Sequence, residues 1–171
     1  GTKIQVKVCG LMGGHSGAEI DKNRANANKL MGRFLYGLKK KADYAVISLA
    51  GGQKDNAITR ECIIEFLTDA PEEVKAYAKE LQEQIREEYT GSDENITIEV
   101  KENGVGTAQV LHPTSQEKIV FYLQNVPFGI QKMSGTFDGL VETSSNIGIL
   151  RLDEDELFAS SSVRSSVDAA C

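Results

Sequence analysis

Cys62-Ile63-Ile64-Glu65-Phe66-Leu67-Thr68-Asp69-Ala70-Pro71-Glu72-Glu73-Val74 reads as a strand running straight into a helix. The apolar run over residues 60–68 has strand length, and Asp69-x-x-Glu72 with Pro71 in the first turn is a helix-start signal. Val74, Ala78, Leu81, Ile85 and Tyr89 then recur every three or four residues, which is helical spacing, until Gly91 and Ser92 end the run. Ile96, Ile98 and Val100 alternate with polar residues, as in a half-buried strand. Upstream, residues 3–9 alternate in the same way, and residues 43–50 read as a strand ending at Gly51-Gly52. Between those two strands a helix is expected from about Asp21 to Lys40, with Leu30, Phe34, Leu35 and Leu38 on one stripe. The order β-α-β-β-α-β predicts an α+β fold: a ferredoxin-like sandwich with an antiparallel sheet and both helices on one face.

Downstream the pattern is less regular. A short helix is expected over Thr114–Asn125, carrying Ile119, Val120 and Leu123, with Pro127 beyond its end. Residues 129–139 read as loop, punctuated by Gly129, Gly135 and Gly139. Val141–Leu152 and Glu156–Arg164 read as two long strands of a hairpin joined around Asp153-Glu154-Asp155. Ser160–Ser166 reads as strand end and helix cap, and Val167–Cys171 as the start of a helix that the chain cuts short. Residues 2–171 are therefore expected to form one unit: a βαββαβ part over 2–104 and a helix-plus-hairpin extension over 105–171. Gly1 reads as an expression scar.

Composition narrows the function. The 171 residues are 40% hydrophobic and 26% charged, ordinary for a globular domain with a core of its own. The net charge of -6 argues against nucleic acid as a partner, because such binding needs a basic face. Lys39-Lys40-Lys41 sits at an expected helix end, where it complements the dipole. No apolar run is long enough to span a bilayer, so no membrane partner is expected. Cys9, Cys62 and Cys171 are odd in number and form no CxxC pair, which points to a reducing, cytoplasmic setting.

One loop stands out for chemistry: Gly13-Gly14-His15-Ser16-Gly17, followed by Asn26-Ala27-Asn28. It lacks the Lys-Ser/Thr of a phosphate loop and the spacing of a dinucleotide fingerprint. Ala18 breaks the pattern of a nucleophile elbow. Two readings of His15 stay open, an incidental loop residue or a ligand-facing imidazole. The flanking Gly13, Gly14 and Gly17 remove side chains that would block a ligand. Ser16-x-x-Glu19 could be a capping box, and Asn26 and Asn28 could brace the loop through hydrogen bonds. Gly51–Arg60 reads as a plain polar strand connection, His112 carries no assigned role, and Arg164 could pair with a carboxylate or lie idle on the surface. Elsewhere no His, Asp, Glu or Cys cluster has metal-ligand spacing, so no metal site is expected in this chain.

Four blocks together resemble one family. They are Gly10–Ile20 with Asn26-Ala27-Asn28-Lys29-Leu30; Gly51-Gly52 with Asn56-Ala57-Ile58-x-Arg60-Glu61; Gly139–Gly148; and Val163–Asp168. In this order they are similar to the lid domain of aminoacylhistidine (Xaa-His) dipeptidases, in the carnosinase-like zinc metallopeptidase family. The resemblance covers nearly the whole chain. It implies a parent enzyme whose separate catalytic domain, absent here, holds two zinc ions, with a lid that carries dimer contacts and closes over a dipeptide. It further implies that His15 polarises the scissile carbonyl and stabilises the oxyanion. Asn56 and Arg164 would hold the substrate, the arginine through its C-terminal carboxylate. The isolated lid would be inactive. The turn Gly51–Asp55 is more charged than that family suggests. The rival expectation is a ferredoxin-like small-molecule-binding or dimerisation module with no catalytic role.

Overall fold

Alternation along Thr2–Cys9 (β1) orients the sheet: Ile4, Val6 and Val8 are fully buried, while Gln5 and Lys7 lie on the opposite face. The computed structural model describes residues 1–153 and 156–166. After β1 come a two-residue strand Gly14–His15 (β2), a single 3-10 turn at Ile20–Lys22 and helix Ala27–Leu38 (α1). The chain continues through Ala45–Gly51 (β3), Ala57–Ile58 (β4), Cys62–Thr68 (β5), Pro71–Glu88 (α2) and Thr97–Val105 (β6). Helix Pro113–Asn125 (α3) and strands Gly129–Met133 (β7), Val141–Asp153 (β8) and Glu156–Ser165 (β9) follow.

The main sheet runs β6-β1-β5-β3, all antiparallel, which is the ferredoxin-like order expected from the sequence. Beyond β3 it is extended by β8, which pairs with β3 only at Ala50↔Arg151 and Gly51↔Leu150. The rest of β8 therefore projects past the end of β3. There it pairs with β7 on one side and β9 on the other, so Thr143–Ser145 are central. This projecting platform is what the glycine loop meets.

The three helices share one core with the inward face of the sheet. Leu30, Met31, Phe34, Leu35 and Leu38 of α1 meet Val74, Ala78, Leu81 and Ile85 of α2 and Ile119, Val120 and Leu123 of α3. Phe34 stacks on Tyr77 with ring centroids 5.5 Å apart, joining α1 to α2. Lys29 joins α1 to α3. Its Nζ donates to the carbonyls of Leu123 (2.6 Å), Gln124 (3.2 Å) and Val126 (2.8 Å). These are the carbonyls that a helix end leaves unsatisfied, and half-burial pushes the Lys29 amine below its ordinary pKa. Ile147 and Leu150 of β8 belong to the same core, so the extension is packed onto the βαββαβ part.

Four expectations need correction. The helix expected from Asp21 begins at Ala27, because Asn26 adopts extended backbone and caps it. Asp69 does not cap α2; its N-cap is Ala70, whose amide is held by Thr68 Oγ1 at 3.1 Å. Residues 129–133, read as loop, form β7, because the edge of β8 supplies pairing that local sequence cannot show. His112, given no role, caps α3 by accepting from the Thr114 amide at 3.2 Å. The hairpin turn at Glu154-Asp155 and the helix start at Val167–Cys171 lie outside the described residues. Among the described residues no helix is long and apolar enough to cross a membrane.

Candidate functional site

The glycine loop is held by a small second sheet. Gly14 pairs with Ile58 and His15 with Ala57, and the Ser16 amide donates to the Asn56 carbonyl at 3.0 Å. Gly13 and Gly14 have φ of 68° and 132°, values that side chains rarely adopt. A Cβ on Gly14 would lie 2.6 Å from Glu19 Oε2 and Arg24 Nη1, so the bare backbone makes room for this ion pair.

The pair organises the turn. Glu19 Oε2 accepts from the His15 amide at 2.8 Å, and Glu19 Oε1 accepts from Arg24 Nη1 at 2.9 Å. The same Arg24 nitrogen donates to the Gly13 carbonyl at 2.8 Å. The His15 hydrogen bond, then Arg24, hold the Glu19 carboxyl below the usual range. The capping residue is His15 rather than Ser16. Imidazole Nδ1 accepts from the amides of Gly17 (3.0 Å) and Ala18 (3.1 Å). Ser16 instead turns its hydroxyl to Ser162 Oγ on β9, at 3.3 Å. His15 is exposed, and its Nε2 makes no hydrogen bond among the described residues.

Arg164 arrives from β9, opposite Ser144. A Cβ on Gly17 would lie 3.0 Å from Arg164 Nε and 3.2 Å from His15 Cε1. The imidazole and the guanidinium therefore flank the same glycine, where a side chain would crowd both. Arg164 forms no ion pair among the described residues. Asn56 adjoins Ala57, the register partner of His15, and its side chain is exposed. The structure thus gathers His15, Asn56 and Arg164 at one end of the molecule.

Beneath them lies a buried polar knot. Asn26 Oδ1 caps α1 through the amides of Asn28 (2.9 Å) and Lys29 (3.2 Å). Its Nδ2 donates to Asn146 Oδ1 (3.1 Å) and the Ile147 carbonyl (2.9 Å). Asn146 Nδ2 in turn donates to the carbonyls of Ala57 (2.9 Å) and Asp55 (3.3 Å), on either side of Asn56. Asn28 reaches Thr59 Oγ1 at 3.2 Å, and its own Oδ1 is buried without a hydrogen-bond partner among the described residues. Asp93, fully buried, clamps both ends of the loop by accepting from Met12 (3.2 Å) and Ala25 (3.1 Å) amides. Burial raises its pKa, against the lowering effect of those two donors.

Sequence reading found Asn26 and Asn28 and read Glu19 as half of a capping box with Ser16, but missed Asn146, Thr59, Asp93 and Arg24 as supports. A usable signal existed for Asn146: Thr143-Ser144-Ser145-Asn146 is a polar run inside a long strand, and all four are buried.

The gathered residues form an open surface. A cleft of 720 Å³ lies nearby, lined by Gly10, Leu11, Gly52, Lys54, Arg60 and Gly148 among others, but not by His15, Asn56 or Arg164. Among the described residues no group of three His, Cys, Asp or Glu side chains could hold a metal ion.

The described residues form a ferredoxin-like antiparallel sheet that displays His15 and Arg164, both exposed, at one end. The chain belongs to the peptidase dimerisation domain family, which matches residues 6–93, slightly more than half of its 171 residues. It is 31% identical over 162 residues to the cytosol non-specific dipeptidase of Escherichia coli (strain K12), covering 94% of this chain and 33% of that protein. Its fold matches the crystal structure of aminoacylhistidine dipeptidase from Vibrio alginolyticus with a TM-score of 0.94 and 30% identity. That match covers 99% of this chain and 35% of the other. The chain spans about a third of the length of both relatives.

Proposed function

We propose that this chain is the substrate-covering and dimerisation domain of a cytosolic di-zinc dipeptidase that hydrolyses Xaa-His dipeptides, acting as a homodimer. The observation that carries the reading is the exposed His15, whose Nε2 makes no hydrogen bond among the described residues, beside Arg164 on an exposed surface. Such a surface needs a second one to complete a site, and both relatives are dipeptidases about three times as long. In this reading, His15 Nε2 donates to the scissile carbonyl oxygen as negative charge develops there. Arg164 receives the substrate's C-terminal carboxylate, for which a guanidinium fork is suited. Asn56, next in sequence to the register partner of His15, helps hold the substrate. Gly13, Gly14, Gly17 and Asn26 shape and support the loop.

Zinc would supply Lewis-acid chemistry from the separate catalytic domain. The residues described here do not fit it: His15 Nδ1 is filled by two amides, and Glu19 is tied to Arg24. The isolated chain, given zinc and dipeptide, is therefore expected to show no turnover in a coupled amino-acid release assay. Measurable metal-dependent hydrolysis would sink that expectation.

The reading is tested by Arg164→Ala in the full-length enzyme. kcat/KM on dipeptides with a free C-terminus should fall roughly 10- to 100-fold, the value of a charge-assisted pair. Amidated dipeptides should be nearly unaffected. Equal proportional losses on both substrates would remove the carboxylate role.

A further inference from the structure

We infer that Glu19 is a positioning residue for His15: by closing the turn under the imidazole, it selects the tautomer with hydrogen on Nε2. Amides of Gly17 and Ala18 both point at Nδ1, at 3.0 and 3.1 Å. A proton on Nδ1 would face two other N–H groups, so the ring proton of the neutral imidazole sits on Nε2. Nε2 is the exposed nitrogen, so the loop presents a hydrogen-bond donor outward.

Those amides point inward because the turn is closed from Glu19. Its carboxylate accepts from the His15 amide at 2.8 Å, and its own amide donates to the His15 carbonyl at 2.9 Å. The second carboxylate oxygen is held by Arg24, which also grips the Gly13 carbonyl. Glu19 thus ties the residue carrying the ring to both sides of the loop. Without it, water competes for the His15 amide, the turn opens, and Nδ1 loses its two donors. Both tautomers then become populated, and the outward donor is present only part of the time. The inference deepens the proposed function and rests on it only for the use made of the Nε2 hydrogen.

The test is long-range proton–nitrogen correlation of the imidazole in nitrogen-15-labelled, 171-residue chain, read on the neutral ring. The parent should show Nδ1 unprotonated and Nε2 protonated. Glu19→Ala should move both nitrogen resonances toward the tautomer average, and Glu19→Gln, which keeps an oxygen for the His15 amide, should move them less. A parent ring protonated at Nδ1 overturns the inference. So does Glu19→Ala with parental ring shifts and a melting temperature showing it is folded. Should Glu19→Ala not fold, Arg24→Gln should shift the ring in the same direction, and its silence overturns the inference.

Kinetics of the full-length enzyme separate this from the functional reading. Glu19→Ala should lower kcat roughly tenfold at nearly constant KM, as loss of a supporting partner does. A tautomer shift with unchanged kcat in both Glu19→Ala and His15→Ala leaves the positioning intact and removes the oxyanion role. A large His15→Ala loss with no tautomer change in Glu19→Ala removes the positioning alone.

Discussion

His15→Ala in the full-length enzyme is expected to lower kcat by about 10²- to 10³-fold, with KM within a few-fold of the parent. The asymmetry follows from what the imidazole can touch. His15 is exposed, its Nδ1 is spent on its own backbone, and only Nε2 remains for substrate. A single ring N–H donor gains most when its acceptor gains charge, which happens in the transition state rather than in the bound dipeptide. The cost to folding should be small, because the ring buries little and the turn keeps its Glu19 contacts. Steady-state kinetics with a matched melting curve check this. A rise in KM at unchanged kcat would assign His15 to ground-state binding and contradict the oxyanion role.

Asn26→Ala should destabilise the isolated chain by about 2–4 kcal/mol. Its Oδ1 caps α1 twice, and a lost cap costs about 1 kcal/mol. Its Nδ2 satisfies Asn146 Oδ1 and the Ile147 carbonyl in a site that water does not reach, and each buried orphan costs about 1–3 kcal/mol. The terms overlap because Asn26 and Asn146 belong to one network, so the sum lies below the separate maxima. Urea unfolding at fixed pH measures it. Asn26→Asp makes the comparison sharper: it keeps the cap, loses both donors and buries a charge, so it should be at least as damaging. A loss under about 0.5 kcal/mol for Asn26→Ala would show that the knot is not what holds the loop to β8.

Much of the βαββαβ part was legible because its elements carry their own periodicity. Val74 to Ile85 repeat at helical spacing, and Ile4, Val6 and Val8 at strand spacing, so burial and hydrophobic pattern say the same thing. The helix α1 was misplaced at its start because Ile20–Lys22 and the Asn-rich stretch fit a helical frame locally. The capping geometry of Asn26, which breaks that frame, depends on β8. β7 was hidden for a related reason: glycine-bounded and mostly exposed, it is a strand only because β8 pairs with it.

The site residues divide along the same line. His15, Asn56 and Arg164 were chosen through blocks of residues resembling a family, and the tripled glycines around His15 suggested close approach. What surrounds them was not readable locally. Ser16 meets Ser162 across 146 residues, Asn26 meets Asn146 across 120, and Met12 meets Asp93 across 81. The sequence by itself determined the order of helices and strands and which short stretch carries the candidate chemistry, because both are matters of local spacing. The arginine that shares a glycine with His15 was settled by the projecting β8–β9 platform, while the outward-facing ring nitrogen follows from hydrogen bonds within the loop that the residue pattern does not display. Hydrogen bonds and close packing act over a few ångströms, and only the folded chain brings partners so far apart in sequence within that range.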